Sequence, residues 1–241
     1  MVGTRDRPDS AVLPSTRSRA SGPRTHLTWL AAGLVLGFLV PFVFADVLGL
    51  PRDLYYGIYV AFVVALFVLW ARSTGQLLVG MVRRRLLLTL VLATVFGLVM
   101  VLMVLRMDAS TAAPDGLELA WLVSWRGVVY GAADGLLLSA FPILTVFAAS
   151  EGSRLRARVW GKTIVGALAL AASLAMTAAY HAGYQDFRSE KLAKPVAGDV
   201  AWSVPTLATL NPIGAPLAHA ALHVTAVLNN QDTDLFLPPH E

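Results

Sequence analysis

The chain has 241 residues, of which 56% are hydrophobic and 14% charged, with a mean hydropathy of +0.65 and a formal net charge of +4. Soluble domains carry roughly 25% charged residues, so a soluble core under a conventional charged surface is excluded, and the absence of cysteine excludes disulfides, thiolate metal sites and a cysteine nucleophile. The sequence pI of about 9.7 comes from arginines and lysines that flank apolar runs, where anionic lipid headgroups and membrane topology account for them better than nucleic acid does.

Residues 1–26 are polar and carry Arg5, Arg7, Arg17, Arg19 and Arg24 among Ser, Thr, Pro and Gly, which reads as a disordered basic tail. Six runs follow, near 28–48, 54–71, 86–106, 126–149, 163–182 and 204–228. Each approaches the roughly 20 residues that cross about 30 Å of hydrocarbon. Residues 27–229 are therefore expected to form an all-α integral membrane domain, a bundle of about six transmembrane helices. Residues 230–241 make a short acidic C-terminal tail. Leu117–Trp125, with Trp121 and Trp125, reads as a short interfacial helix ahead of the fourth span. Lysines and arginines number thirteen in the tail and the 72–85 and 150–162 loops, against six on the other side. That bias predicts a multi-pass protein of the cell membrane with both termini in the cytoplasm.

The fourth span interleaves two patterns. Gly127, Gly131 and Gly135 recur every four residues, the spacing of a ridge that lets another helix backbone approach closely. This ridge is a candidate packing surface for a membrane-embedded partner or for self-association. Beside it run Arg126, Tyr130 and Asp134, also four apart. Asp134 is the sole acidic residue well inside an expected span, roughly 12 Å along the helix from Arg126, and a carboxylate at that depth must face protein, a cavity or a cation. Pro142 is expected to kink the helix. In the fifth span Ser173, Thr177 and His181 form one polar stripe.

The sixth span opens with Asn211-Pro212-Ile213-Gly214-Ala215-Pro216, which predicts a broken helix. His219 and His223 then share one face, one turn apart. An i, i+4 histidine pair with one further ligand can hold a divalent metal such as zinc. The glutamate of the H-E-x-x-H protease motif is absent. With the helix restarting near 213, His219 is expected level with Asp134, in an outward-opening pocket of Arg126, Asp134, His181, Asn211 and His219.

Ser124-Trp125-Arg126-Gly127 resembles the arginine-glycine half of the first motif of the CAAX-protease and bacteriocin-processing intramembrane family, and His219-Ala220-Ala221-Leu222-His223 with Asn229 and Asn230 is similar to its terminal histidine motif. The resemblance covers about forty residues and implies a multi-helix membrane protein related to enzymes that cut peptide bonds within the bilayer. The family's paired glutamates would fall at Trp121 and Leu122, neither of which can activate water. Three readings follow. In the first, a metal-dependent intramembrane hydrolase holds its ion on His219 and His223, uses Asp134 or His181 as base, and steadies an anion with Arg126. A proton or cation transporter would use the same polar residues as a path. A non-enzymatic assembly subunit would dock a partner through the glycine ridge.

Overall fold

The computed structural model describes residues 21–107, 109–112, 114–233 and 235–238, so most of the basic tail and part of the acidic one lie outside the described residues. The described residues are helical, without strand. We number the helices α1 (Pro23–Val47), α2 (Arg52–Thr74), α3 (Leu78–Arg83), α4 (Leu86–Met107), α5 (Gly116–Ala149), α6 (Val159–Ala182), α7 (Ala193–Thr209) and α8 (Gly214–Asn229). Five of them, α1, α2, α4, α5 and α6, are long and apolar enough to cross a membrane. Large apolar side chains point outwards along α4, among them Leu87, Leu98 and Leu105, as a lipid-facing helix requires.

Local chemistry sets the helix ends. Pro23 opens α1 at a first-turn position, where its missing N–H costs nothing. Gly75, at φ +72°, closes α2 in the left-handed conformation. The segment expected as an interfacial helix plus a span is one continuous helix, α5, with π-helical turns at Val123–Tyr130 and Leu136–Ala140. Pro142 follows the second π turn and opens the next α-helical stretch, so the wide turn absorbs the donor that proline lacks.

The largest departure from the sequence reading is at the end of the chain. The stretch 204–228 does not form one interrupted span. Residues 193–209, expected as a loop plus the start of that span, form α7, and the chain then reverses into α8. The reversal uses Leu210 in the left-handed region, φ 55°, which is costly for a residue with a Cβ. Surrounding bonds hold it there. Thr206 Oγ1 donates to Asn211 O at 3.0 Å and accepts from Ala215 N at 2.8 Å. Asn211 Nδ2 donates to Val82 O and Arg84 O at 2.7 and 2.8 Å. At 17 and 16 residues, α7 and α8 each rise about 25 Å; α8 is mostly buried and α7 about half buried among the longer helices.

Contacts at the two ends of the bundle fix the chain's course. Ser21 Oγ donates to Ser73 O, and Asn211 bonds the 82–84 backbone. At the opposite end Thr111 N donates to Asn229 O at 2.8 Å, and Arg52 donates to Gln231 O at 3.0 Å. The described N-terminal and C-terminal ends therefore lie at opposite ends of the bundle.

Candidate metal centre

α5 packs its glycine ridge directly on α8. A Cβ at Gly127 would lie 2.8 Å from Val224 Cγ2, one at Gly131 would lie 2.8 Å from His223 Cβ, and one at Gly135 would lie 2.9 Å from His219 Cβ and 2.8 Å from Ala215 O. Ordinary carbon–carbon contact is about 3.5–4.0 Å, so a side chain at any of these positions would force α8 away from α5. The surface expected to receive a partner or a second copy is covered by this chain's own last helix. That close approach presses the two histidines of α8 against the carboxylate of α5.

Three groups converge there. His219 Nε2 lies 2.9 Å from Asp134 Oδ2, His223 Nε2 lies 3.1 Å from His219 Nε2, and His223 Nε2 lies 3.5 Å from Asp134 Oδ2. All three residues are buried, and one ligand atom from each lies within 4.8 Å of the others, so they form a group able to hold a metal ion. A tetrahedral ion with bonds of about 2.0–2.1 Å would hold its ligand atoms about 3.3–3.4 Å apart, close to the three observed separations. The Nδ1 atoms of both histidines are buried without a hydrogen-bond partner among the described residues, so the polar contacts of both rings run through Nε2.

Proton accounting sharpens this. A ring nitrogen that carries hydrogen donates and cannot accept. If His219 Nε2 donates to Asp134, it has no lone pair for His223; if it accepts from His223, its lone pair faces the carboxylate. A single hydrogen on His219 Nε2 serves both short contacts only as a weaker three-centre bond shared between Asp134 Oδ2 and the His223 Nε2 lone pair. A cation shared by the three atoms satisfies all of them.

The surroundings hold the group in place. Tyr59 OH on α2 donates to Asp134 Oδ1 at 2.6 Å, and the Trp202 ring on α7 meets His219 edge-on with centroids 4.4 Å apart. The chain's six tyrosines, Tyr55, Tyr56, Tyr59, Tyr130, Tyr180 and Tyr184, form one buried aromatic cluster beside the site. Tyr55 bonds Tyr184, Tyr184 bonds Tyr180, and Tyr180 bonds Tyr130 through their hydroxyls. Tyr130 also rests edge-on against His223.

Asp134, His219 and His223 line a cavity of about 420 Å³ that runs to Met107, Lys194 and Pro238. His181 lines the same cavity. Its Nδ1 lies 2.9 Å from Thr177 O, and since a carbonyl only accepts, Nδ1 carries the proton and Nε2 is the free base nitrogen. Most of the remaining wall is apolar, from Val99, Met100 and Met103 of α4, Ala201 and Trp202 of α7, and Leu235 and Phe236 beyond α8.

Two expected pocket members are elsewhere. Arg126 lies outside the cavity wall and forms a two-pronged ion pair with Asp53, at 2.8 and 2.9 Å. Its carboxylate partner at the start of α2 outcompetes the more distant Asp134. Asn211 sits at the far end of the bundle in the α7–α8 turn. His219 is level with Asp134 as expected, but α8 reaches that depth from the opposite end of the bundle.

Sequence reasoning missed Tyr59 and Asp199. The i, i+4 spacing of Tyr55 and Tyr59 in an apolar run was the available signal for the first. Asp199 was placed in a loop, whereas it is fully buried on α7.

No protein-family model matches the chain, and comparison with curated proteins and with solved structures yields no significant match either. The likeness to the CAAX-protease and bacteriocin-processing family therefore stands on the quoted motifs alone.

Proposed function

We propose that the chain is a multi-pass cell-membrane protein in which Asp134, His219 and His223 hold a divalent cation such as zinc, and that this centre hydrolyses a substrate admitted from the bilayer through the apolar cavity. The observation that carries the reading is the convergence of three buried ligand atoms, at separations close to those a tetrahedral ion would set, on the wall of a cavity. When bound, such an ion supplies Lewis acidity and brings a coordinated water towards a pKa of about 7. Tyr59 orients the carboxylate by donating to its second oxygen, the role of an outer-shell partner. His181, with Nε2 unprotonated on the same cavity, is placed as general base. Arg126 takes no part in this chemistry and secures α5 to α2.

The end of the bundle bearing Arg83, Arg84, Arg85, Arg154, Arg156 and Arg158 faces the cytoplasm under this reading, and the cavity extends towards the opposite end. The ridge of Gly127, Gly131 and Gly135 serves internal packing rather than assembly with membrane partners.

The test uses purified protein in nanodiscs made with a total lipid and membrane-peptide extract, with products followed by mass spectrometry. Product formation that stops on chelation, returns with zinc, and is lost in Asp134→Asn and His219→Ala supports the proposal. Turnover that survives chelation and both substitutions overturns it.

A further inference from the structure

The cavity beside the metal centre continues past its apolar wall. It meets a second hollow of about 360 Å³, and Met107, Lys194, Leu235 and Phe236 belong to the linings of both. Beyond that collar the lining turns polar, with Lys191, Asn230, Asp232 and Thr233. Met107 ends α4, Ala193 opens α7 and Asn229 ends α8, so this vestibule lies at the end of the bundle where Thr111 bonds Asn229. The passage towards Asp134, His219 and His223 therefore starts polar and charged and becomes apolar with depth.

The apolar part is also open at its side. Val99 and Met107 of α4 line the cavity yet are 44% and 46% exposed, and Ala197 of α7, on the same wall, is exposed as well. They adjoin Leu98, Leu102 and Leu105, which face outward along α4. Met100 and Met103 add flexible thioether side chains, which adapt to apolar ligands of variable shape. A hydrocarbon chain can thus enter between α4 and α7 without leaving the bilayer.

Charge selects the head of such an occupant. Among the described residues the vestibule holds two lysines against one aspartate, one net positive charge. Lys194 is the sole lysine or arginine on the described wall of the inner cavity, and it has no hydrogen bond or ion pair among the described residues. A phosphodiester brings the single negative charge that matches, while Asp232 disfavours a more highly charged head. Depth agrees with this. Lys194 precedes Trp202, the neighbour of His219, by about 12 Å of rise along α7. His223 lies one turn nearer the vestibule, so an extended lysine side chain and a glycerol backbone together span the interval.

We infer, resting on the hydrolase reading above, that the substrate is a glycerophospholipid. Lys194 holds its phosphodiester, one acyl chain lies along Met100 and Met103, and the ester between them faces Asp134, His219 and His223. The second chain remains in the bilayer through the opening between α4 and α7. Hydrolysis breaks the bond between the acyl carbon and the glycerol oxygen. The oxygen of water bonds to the acyl carbon and keeps one hydrogen, and its other proton passes by way of His181 Nε2 to the glycerol oxygen. The products are a fatty acid and a lysophospholipid.

Two measurements on the purified full chain in detergent test this. Native mass spectrometry, with zinc and metal-free, counts retained lipid, and a zinc-loaded assay follows fatty acid released from phosphatidylglycerol and from diacylglycerol, which lacks the phosphate. One phosphatidylglycerol per wild-type chain is expected with or without zinc, and kcat/KM for it at least tenfold above that for diacylglycerol. Lys194→Ala should raise KM for phosphatidylglycerol at least tenfold with kcat and the diacylglycerol values unchanged, the mark of lost uniform binding, and Lys194→Arg should restore it. Met103→Trp, which fills the chain-binding wall, should abolish lipid retention with zinc content unchanged. Equal turnover of the two lipids, an unchanged KM in Lys194→Ala, or displacement of phosphatidylglycerol by inorganic phosphate alone overturns the lipid assignment and leaves the metal reading standing. Lipid held through Lys194 by a chain that binds no zinc supports the lipid site and overturns the hydrolase reading alone.

Discussion

Substituting Gly131→Ala tests whether close helix approach builds the metal centre. The new methyl carbon would lie 2.8 Å from His223 Cβ and 3.0 Å from Ala220 Cα, both on α8. To restore ordinary contact at about 3.5 Å, α8 must retreat by roughly 0.7 Å. Neither neighbour is the far end of a flexible side chain, so backbone has to move. Overpacking of this kind costs about 1–3 kcal/mol. The retreat also widens the triangle of Asp134, His219 and His223, whose sides are now 2.9, 3.1 and 3.5 Å. Moving the two histidines outward by that amount leaves the three atoms unable to share bonds of about 2.0–2.2 Å. Thermal unfolding in detergent with a zinc titration measures both effects. The expected result is a lower melting temperature together with zinc affinity reduced at least tenfold. Gly166→Ala is the control, since a Cβ there meets nothing within 4 Å. A Gly131→Ala protein with unchanged melting temperature and unchanged zinc affinity would refute the argument.

Tyr59→Phe removes the hydrogen bond to Asp134 Oδ1 and should weaken metal binding about 10–100-fold, as loss of an outer-shell partner does; equilibrium zinc competition measures it. Asn211→Ala deletes two part-buried donations to the 82–84 backbone and should cost about 1–3 kcal/mol by thermal unfolding, with metal content unchanged. Arg126→Ala breaks the pair with Asp53, whose side chain is 42% exposed, so solvent screening limits the loss to about 1 kcal/mol or less, and zinc affinity should hold. Single cysteines introduced at Arg154 and at Gln231 of this cysteine-free chain should react with a membrane-impermeant reagent from opposite sides of the membrane; labelling of both from one side contradicts the chain course described above.

The sequence carried the site further than it carried the topology. Asp134 and His219 were expected to meet because each is costly alone in an apolar setting, and that argument needs no knowledge of chain direction. The four-residue spacing of Gly127, Gly131 and Gly135 revealed a face built for close approach. It could not say that the approaching helix lies ninety residues further along the same chain. Arg126 was assigned to Asp134 because they share a helix, while its partner Asp53 is separated by 73 positions and leaves no periodic trace. The first part of α7, 193–203, was read as a loop because Lys194, Pro195 and Asp199 interrupt the apolar pattern. Its polar residues are satisfied by hydroxyls on α5 and α6, a compensation that only three-dimensional contact exposes. Splitting 204–228 into a hairpin also reverses the direction of α8, which the proline and glycine signals at 212–216 do not encode.

The most direct test of the central claim is the zinc content of the detergent-purified full chain after incubation with zinc and removal of excess, wild type beside His219→Ala and Asp134→Asn. The reading expects one tightly held ion per wild-type chain and less than a tenth of that in either variant, with both variants still folded by circular dichroism. Wild-type protein that retains no zinc, or variants that retain as much as the wild type, would contradict it.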